Sequence, residues 1–543
     1  MKYTGIITLC LAGFAFSATA QTHVEGAEYY KADQFDNAKE LLLRSLNNSG
    51  TNKSVSNYYL GLISLRDNNT SDAQKYFQQG QQDDPEYAYN YVGLGMLKLK
   101  TGNEKGAEAD FKEAEKRAKK DAGVHIAIAR AYDDVDPVRF EKQIEKRVEK
   151  ARKTNLKNPD IYLFEGDQLK EKKNFGDAAA KYEMAAGYDK TSAEAYVKYA
   201  NLFTMVNPEY AVKMLKSLLE VNPTSALGQR ELAIAYYNAK DYTNAANEYG
   251  KYVQNPSHFK QDENRYAFLL FYGGEYKKGY EYATKLLKAD PSDFTAQRYQ
   301  FMNAAQIESM NDSLLPMAEA LLSAHKANPA ENKFAAIDYT LIADEFARAK
   351  RADEAIAVLK EGIAEMPDNA LFNKDLAMKY VDANNITEAA KAYEGYLSKT
   401  EKPSYNDYIQ QATFSFYAAV ENKDNEATAN KFFDDTAKYA GLASEILPDN
   451  YKPKKFLGDI AKQKAAKEDI ETAAAPMYLE AIALLEASQD PSRYKSDAKE
   501  MYNYLGNYYL DQKDVAKAKE YFNKYLQYDP DNSAYRNFVE GLK

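Results

Sequence analysis

Small, bulky and helix-ending residues recur along this chain in one frame of about 34 residues. A small residue is followed twelve positions later by alanine, then four positions later by a bulky apolar residue, and eight positions after that by proline. The clearest copy is Gly61, Ala73, Phe77 and Pro85. Because positions four apart share one face of an α-helix and proline ends a helix, each copy predicts a hairpin of two helices.

The small positions predict close packing within each hairpin. Small residues on facing helices let the backbones approach, whereas a large side chain at either position would hold the helices apart. The bulky residue four positions after the alanine is expected to fill the space between one hairpin and the next. Small residues at the eighth position include Gly61, Gly95, Ala129, Gly166, Ala200, Ala233, Ala343 and Ala377.

The frame resembles the tetratricopeptide repeat, a helix-turn-helix motif with conserved small, aromatic and proline positions. The last copy carries most of that motif in Tyr502, Leu505, Gly506, Tyr509, Ala518, Phe522, Tyr525 and Pro530. The family's usual tryptophan is absent because the chain has none, and tyrosine takes its place. The resemblance covers nearly the whole chain and implies an all-α, right-handed superhelical α-solenoid of about 13–14 hairpins. In such an array each repeat contacts only its neighbours.

Residues 1–20 predict a cleaved secretory signal. An apolar stretch over 5–16 is followed by Ala18-Thr19-Ala20, which has the small-x-small form of a cleavage site. The stretch is too short to span a bilayer, and no later segment approaches the ~20 apolar residues of a transmembrane helix. We therefore expect an exported, soluble mature protein, with peripheral association with the cell envelope left open.

The single cysteine, Cys10, lies inside this apolar stretch and would leave with it, so we expect no disulfide in the mature chain. Export without disulfides favours a bacterial periplasm. Outer-membrane association and secretion are the alternatives. Lipidation of Cys10 is less favoured, because the bulky Leu9 precedes it instead of a small residue.

Interruptions of the frame predict how the array divides. Segments around Pro256 and Pro403 are the best candidate breaks. A closing helix is expected over 534–542, where it would cover the last apolar face. The predicted divisions are a signal over 1–20, an N-terminal array over 21–256, a central array over 257–402, and a C-terminal array with irregular units over 403–543.

Positions 2, 5, 9 and 12 of each repeat should line the concave groove in which members of the resembled family hold peptides. In the second and third copies these positions form an apolar and aromatic stripe, which would suit an extended hydrophobic segment. The candidate groove residues are Tyr58, Leu62, Leu65, Tyr89, Val92, Met96 and Leu99. The alternative is that the register is shifted by one residue, in which case these side chains are core.

Asn503 and Asn507 are further groove candidates in the last repeat. Family members that grip a terminal carboxylate use lysine at position 5 and asparagine at position 9. Here Asn507 stands at position 9, but Asn503 occupies position 5 in place of lysine. A terminal-carboxylate clamp is therefore not expected.

Charge and chemistry favour a binding protein over an enzyme. With 71 basic against 81 acidic residues, the formal charge is −10, which argues against nucleic acid as a ligand. The four histidines are far apart, and no catalytic or phosphate-binding motif is present, so we expect no metal, no cofactor and no enzymatic activity. The leading hypothesis is a protein-binding scaffold of the bacterial cell envelope. Alternatives are an accessory protein of outer-membrane or glycan transport, and an enzyme with a site in an irregular repeat near Asp136 or Ser309.

Overall fold

The computed structural model describes residues 22–48, 50–118, 120–466 and 469–543. The predicted signal, its cleavage site and Cys10 lie outside these residues. Within them, all regular secondary structure is helical and no β-strand occurs. The chain divides into an N-terminal unit that ends at Ile307 and a C-terminal unit from Glu308 to Lys543.

The N-terminal unit consists of eight successive antiparallel hairpins, α1/α2 to α15/α16, followed by α17. Its helices α1 to α17 are Thr22–Lys31, Phe35–Leu46, Lys53–Arg66, Thr70–Asp83, Tyr89–Lys100, Glu104–Ala118, Ala122–Asp133, Glu141–Thr154, Pro159–Glu171, Phe175–Tyr188, Ala193–Phe203, Pro208–Val221, Ala226–Asn238, Tyr242–Tyr252, Glu263–Tyr272, Tyr276–Ala289 and Phe294–Ala304.

The C-terminal unit begins with α18, continues through five hairpins and ends with α30. The hairpins are α19/α20, α21/α22, α23/α24, α25/α27 and α28/α29, so the expected all-α solenoid of hairpins is confirmed. Its helices α18 to α30 are Asn311–Ala327, Ala336–Arg348, Ala352–Glu365, Ala370–Asp382, Ile386–Lys399, Tyr405–Glu421, Glu426–Ile446, Lys452–Lys464, Ile470–Ala473, Ala475–Glu486, Lys495–Asp511, Val515–Tyr528 and Ser533–Gly541.

The turn inside a typical hairpin combines a left-handed residue with a helix cap. In the last hairpin, Lys513 has φ 59° and ends α28, and the adjacent Asp514 begins α29 by accepting a hydrogen bond from the backbone N–H of Lys517 at 3.1 Å. Lys173 and Asn174 do the same between α9 and α10. A left-handed residue ends one helix and a side-chain oxygen satisfies a free amide of the next, so a link of three residues reverses the chain.

A close contact between glycine and an aromatic ring holds the hairpins together. A Cβ atom at Gly506 would lie 2.2 Å from Cε1 of Phe522, and one at Gly61 would lie 2.3 Å from Cε1 of Phe77. Both rings are fully buried. The expectation placed the small residue opposite the alanine of the second helix. In these glycine-bearing repeats, the glycine makes room for the ring one turn beyond that alanine.

The boundary after Ile307 coincides with neither predicted break. At the first break, the backbone carbonyl of Pro256 accepts a hydrogen bond from Arg44 at 2.8 Å, so this segment is held inside the N-terminal unit. The break near Pro403 lies within the C-terminal unit. The division into three arrays stays a prediction.

We expect Gly506→Ala to destabilise the C-terminal unit by about 1–3 kcal/mol, because the added methyl group would displace the buried Phe522 ring. Gly441→Ala is the matched control, since Gly441 is an exposed residue within α24, five positions before its end, and a Cβ there meets no atom within 4 Å. This control should stabilise the unit by about 0.5–1 kcal/mol through helix propensity alone. Urea denaturation followed by circular dichroism measures both. Equal effects of the two substitutions would contradict the packing account.

Candidate partner-binding groove

The seven N-terminal groove candidates lie on two neighbouring first helices, α3 and α5. The structure brings the aromatic members together, with the ring centroids of Tyr58 and Tyr89 5.5 Å apart. Five of the seven have less than a tenth of their surface exposed, and only Leu62 and Tyr89 are partly exposed. Contact of these residues with a partner stays a prediction. In this conformation Leu62 and Tyr89 present the accessible surface for it.

The N-terminal hairpin packs against helices about 200 residues further along the chain. The backbone N–H of Ala226, at the start of α13, donates to Glu25 Oε1 of α1 at 3.0 Å. Gln34, in the turn between α1 and α2, donates to Glu231 of α13 at 2.6 Å. The expectation that each repeat contacts only its neighbours is therefore wrong for the N-terminal unit. Its first hairpin closes against α11 and α13.

Charged side chains meet beneath this closure. Lys198 of α11 donates to Asp167 at 2.7 Å and to Asp33 of the first hairpin at 3.5 Å, and Arg130 donates to the same Asp167 at 2.7 Å. Burial raises the pKa of Asp167, but Arg130 and Lys198 outweigh burial and hold it below its usual value. The Lys198 ammonium is thus shared between two carboxylates from distant repeats.

Several carboxyl groups of the closure have strongly raised pKa values, and burial together with the nearby Glu25 carboxylate raises the pKa of Glu28 to about 8. Burial raises the pKa of Glu25 to about 7, although the amides at the start of α13 oppose the shift. Burial likewise raises the pKa of Glu194 to about 7 against the attraction of Lys31 and Lys198. The side chains of Glu25 and Glu194 are both more than nine-tenths buried, so their ionised forms lose solvation by water. The interactions with neighbouring amides and ammonium groups offset only part of that loss.

In the C-terminal unit a cavity of about 310 Å³ opens on the first helices of three successive hairpins, α23, α25 and α28. Lys452, Lys455, Asp459 and Lys462 of α25 line it, and they stand at positions 2, 5, 9 and 12 of their repeat, counted from Gly458 at position 8. The full lining is Ile409, Thr413, Phe416, Tyr417, Lys452, Lys455, Phe456, Asp459, Lys462, Gln463, Asp497 and Glu500. We call these residues the C-terminal groove.

One ion-pair cluster organises the floor of the C-terminal groove. Lys455 lies 2.9 Å from both Asp459 and Glu500, and Tyr478 donates to Asp459 at 2.5 Å. Burial lowers the pKa of Lys455, but the two carboxylates outweigh burial and keep it above its usual value. The ammonium is therefore charged at neutral pH, and its contact with Glu500 joins α25 to α28.

Aromatic side chains form one wall of the C-terminal groove. The ring centroids of Phe416 and Phe456 lie 6.3 Å apart, and Tyr417 extends beside them with 56 % of its surface exposed. An exposed tyrosine next to partly buried rings offers apolar area together with a hydroxyl group. The groove thus combines an apolar wall with a charged floor.

Asn503 and Asn507 lie on α28 but do not line this cavity. Asn503 accepts a hydrogen bond from the Tyr535 hydroxyl of α30 at 2.7 Å, which ties its side chain to the last helix. Both asparagines are half-buried. Their contact with a partner stays a prediction.

The residues of the C-terminal groove are not among the candidates predicted from the sequence, although the repeat pattern contains a signal for them. The rule of positions 2, 5, 9 and 12, applied from Gly458, gives Lys452, Lys455, Asp459 and Lys462. The repeat of Gly458 matches the motif less well than those of α3 and α5, because its frame is irregular around 467–475.

None of the described helices is both long enough and apolar enough to cross a bilayer. Within the described residues, no group of three or more His, Cys, Asp and Glu is arranged to hold a metal ion. Of the histidines, His125 lies 3.1 Å from Glu115, and His325 stacks on Phe334 at 4.0 Å between ring centroids.

Models of the tetratricopeptide repeat match three segments of the chain, residues 201–258, 346–410 and 500–532. The segments lie in both units. These matches confirm that the chain contains tetratricopeptide repeats. The sequence matches no curated protein.

Several solved structures are similar to this chain. The C-terminal part of a TPR repeat-containing protein from Cytophaga hutchinsonii has 17 % identity and a TM-score of 0.41, over 52 % of this chain and 99 % of that one. A tetratricopeptide repeat protein from Parabacteroides merdae has 15 % identity and a TM-score of 0.34, over 49 % and 98 %. Yeast Tom70 has 15 % identity and a TM-score of 0.30, over 88 % and 97 %.

The raised pKa values of Glu25 and Glu194 predict that the N-terminal closure weakens as pH rises from 5 to 8. Their folded pKa of about 7 lies above the ordinary value of 4.5, so between these values the folded state binds more protons than the unfolded state. The free energy of unfolding therefore falls with pH, by at most about 1.4 kcal/mol per pH unit for each group. Hydrogen exchange of α1 and α11, corrected for intrinsic rates, should show less protection at pH 7.5 than at pH 5.5.

Glu194→Gln is the control for this pH dependence. The amide cannot ionise, so the difference in protection between the two pH values should shrink. If protection in the unsubstituted protein is equal at both pH values, or greater at pH 7.5, the carboxyl groups do not control the closure.

Proposed function

We propose that this protein is a non-catalytic scaffold of the bacterial cell envelope that binds protein or peptide segments through tetratricopeptide repeats. One observation carries the proposal: the C-terminal groove is open and is lined only by first helices of successive hairpins. In a repeat array, this arrangement gives a binding segment contacts from three repeats at once.

The two units support different roles in this proposal. The predicted stripe on α3 and α5 is largely covered by its own chain, whereas Tyr417 in the C-terminal groove is more than half exposed. The C-terminal groove is therefore our first choice for partner contact. The N-terminal unit is closed by its first hairpin, so it is better suited to act as a rigid body whose conformation does not change during binding.

Photocross-linking from position 417 tests this function. A benzoylphenylalanine residue in place of Tyr417 should cross-link a discrete protein partner in cells. The matched control is the same substitution at Ile446, which is 50 % exposed at the end of α24 and lies outside the C-terminal groove. Cross-linking at both positions or at neither would contradict a groove-specific partner.

The envelope assignment is supported by the signal-like pattern over 1–20 and is tested separately. Expression of the full chain in a Gram-negative host should give a mature N-terminus at Gln21 and recovery in the periplasmic fraction. Cys10→Ser should leave both results unchanged. Recovery of full-length protein in the cytoplasm would contradict export. Attachment of the unsubstituted protein to the membrane, with loss of that attachment in the Cys10→Ser variant, would support the lipidated alternative.

A further inference from the structure

The acidic groups of the C-terminal groove already have partners within the chain. Asp459 accepts from Tyr478 and pairs with Lys455, and Asp497 accepts from the Tyr451 hydroxyl at 2.5 Å. The third acid, Glu500, lies 2.9 Å from the Lys455 ammonium and 3.8 Å from that of Lys462. A basic side chain from a partner would therefore compete with existing contacts for every carboxylate in the groove.

The basic groups are not all used in this way. Lys455 is held between two carboxylates, and Lys462 makes one long contact of 3.8 Å with Glu500. Lys452 also lines the cavity and is half-buried, yet no carboxylate oxygen among the described residues lies within 4 Å of its ammonium. Among the charged groups of the groove, the unused hydrogen-bonding capacity is thus that of cationic donors.

The apolar wall lies in the same cavity as this unpaired ammonium. Phe416, Tyr417 and Phe456 come from α23 and α25. A side chain that covers these rings removes apolar area from water, and a carboxylate near it gains a charge-assisted hydrogen bond. A partly buried ammonium makes such a pair stronger than one on an open surface.

From this charge balance we propose that the C-terminal groove selects a peptide segment in which an aromatic or aliphatic residue lies next to an internal Asp or Glu. The apolar residue packs on Phe416, Tyr417 and Phe456, and the carboxylate binds Lys452. Recognition uses a side-chain carboxylate, so it does not require the terminal carboxylate of the partner. This inference rests on the proposed function, because it names the chemistry of the segment that the groove holds.

Selection from a displayed library of random peptides tests the inference with the full chain as bait. Peptides enriched on the unsubstituted protein should carry Asp or Glu within two positions of an aromatic or aliphatic residue, about threefold above the starting library. Lys452→Glu should abolish this excess and favour Lys or Arg at the same place. Lys454→Glu is the matched control, since Lys454 is on the same helix, pairs with Glu480 and does not line the groove.

Binding of one enriched peptide, synthesised with an amidated C-terminus, gives the quantitative test. Changing the acidic residue of the peptide to its amide (Asp to Asn, or Glu to Gln) should weaken binding to the unsubstituted protein about three- to tenfold. The same change should leave binding to the Lys452→Gln variant unaltered. Lys452→Gln removes the positive charge without introducing a negative one and shortens the side chain by only one methylene, so it remains informative if Lys452→Glu does not fold. Equal loss in both proteins would overturn the role of Lys452.

The remaining outcomes separate this inference from the proposed function. Enriched peptides without an acidic preference, whose binding is lost in Tyr417→Ala, would refute the inference and keep the groove as a binding site. Peptides that lose affinity on C-terminal amidation would show recognition of the terminal carboxylate instead. Failure to enrich any peptide above the bare matrix would refute both.

Discussion

The contact between a first-helix glycine and a second-helix aromatic ring is the constraint on which the glycine-bearing hairpins depend. At Gly61 and Gly506 the ring occupies the volume that any side chain would need. The distance between the two helices is thereby set by the thickness of a ring. Because this fixes the position of the first helix in each such hairpin, equivalent groove positions of successive repeats face the same side of the array. In the C-terminal groove, α25 and α28 make this contact at Gly458 and Gly506, whereas α23 contains no glycine.

The fold could be predicted from the sequence because its determinants are local. Residues such as Gly506 and Phe522 lie sixteen positions apart, within one hairpin, and the capping turn at Lys513 and Asp514 falls between them. Packing of neighbours requires only that this frame recur. Closure of the N-terminal unit is different, because it depends on the accumulated rotation of many hairpins and on residues outside the frame, such as Gln34. The spacing of the repeats does not determine how far each hairpin is rotated relative to the next.

The candidate site could be predicted only in part, for a related reason. The rule that positions 2, 5, 9 and 12 face a groove is a property of one repeat, and it holds for Lys452 and Lys462. Whether those positions are open to solvent depends on what the rest of the unit places over them. On α3 these positions include Tyr58, which is buried. On α23, Tyr417 lies next to the groove residue Phe416 and is exposed. Regularity of sequence therefore does not identify the accessible repeat.

The hydrogen bond between Glu25 and Ala226 joins residues 201 positions apart, so it adds a strongly non-local contact to a unit otherwise built from local ones. In an open solenoid, folding can nucleate at any repeat and propagate outwards. Here the chain must close a loop of that length before the first hairpin reaches its final contacts, and such non-local pairing slows folding. Newly made chains therefore expose the apolar inner face of their first hairpins until α13 has been synthesised. The interval before closure is the period in which these hairpins are open to chaperones and to aggregation.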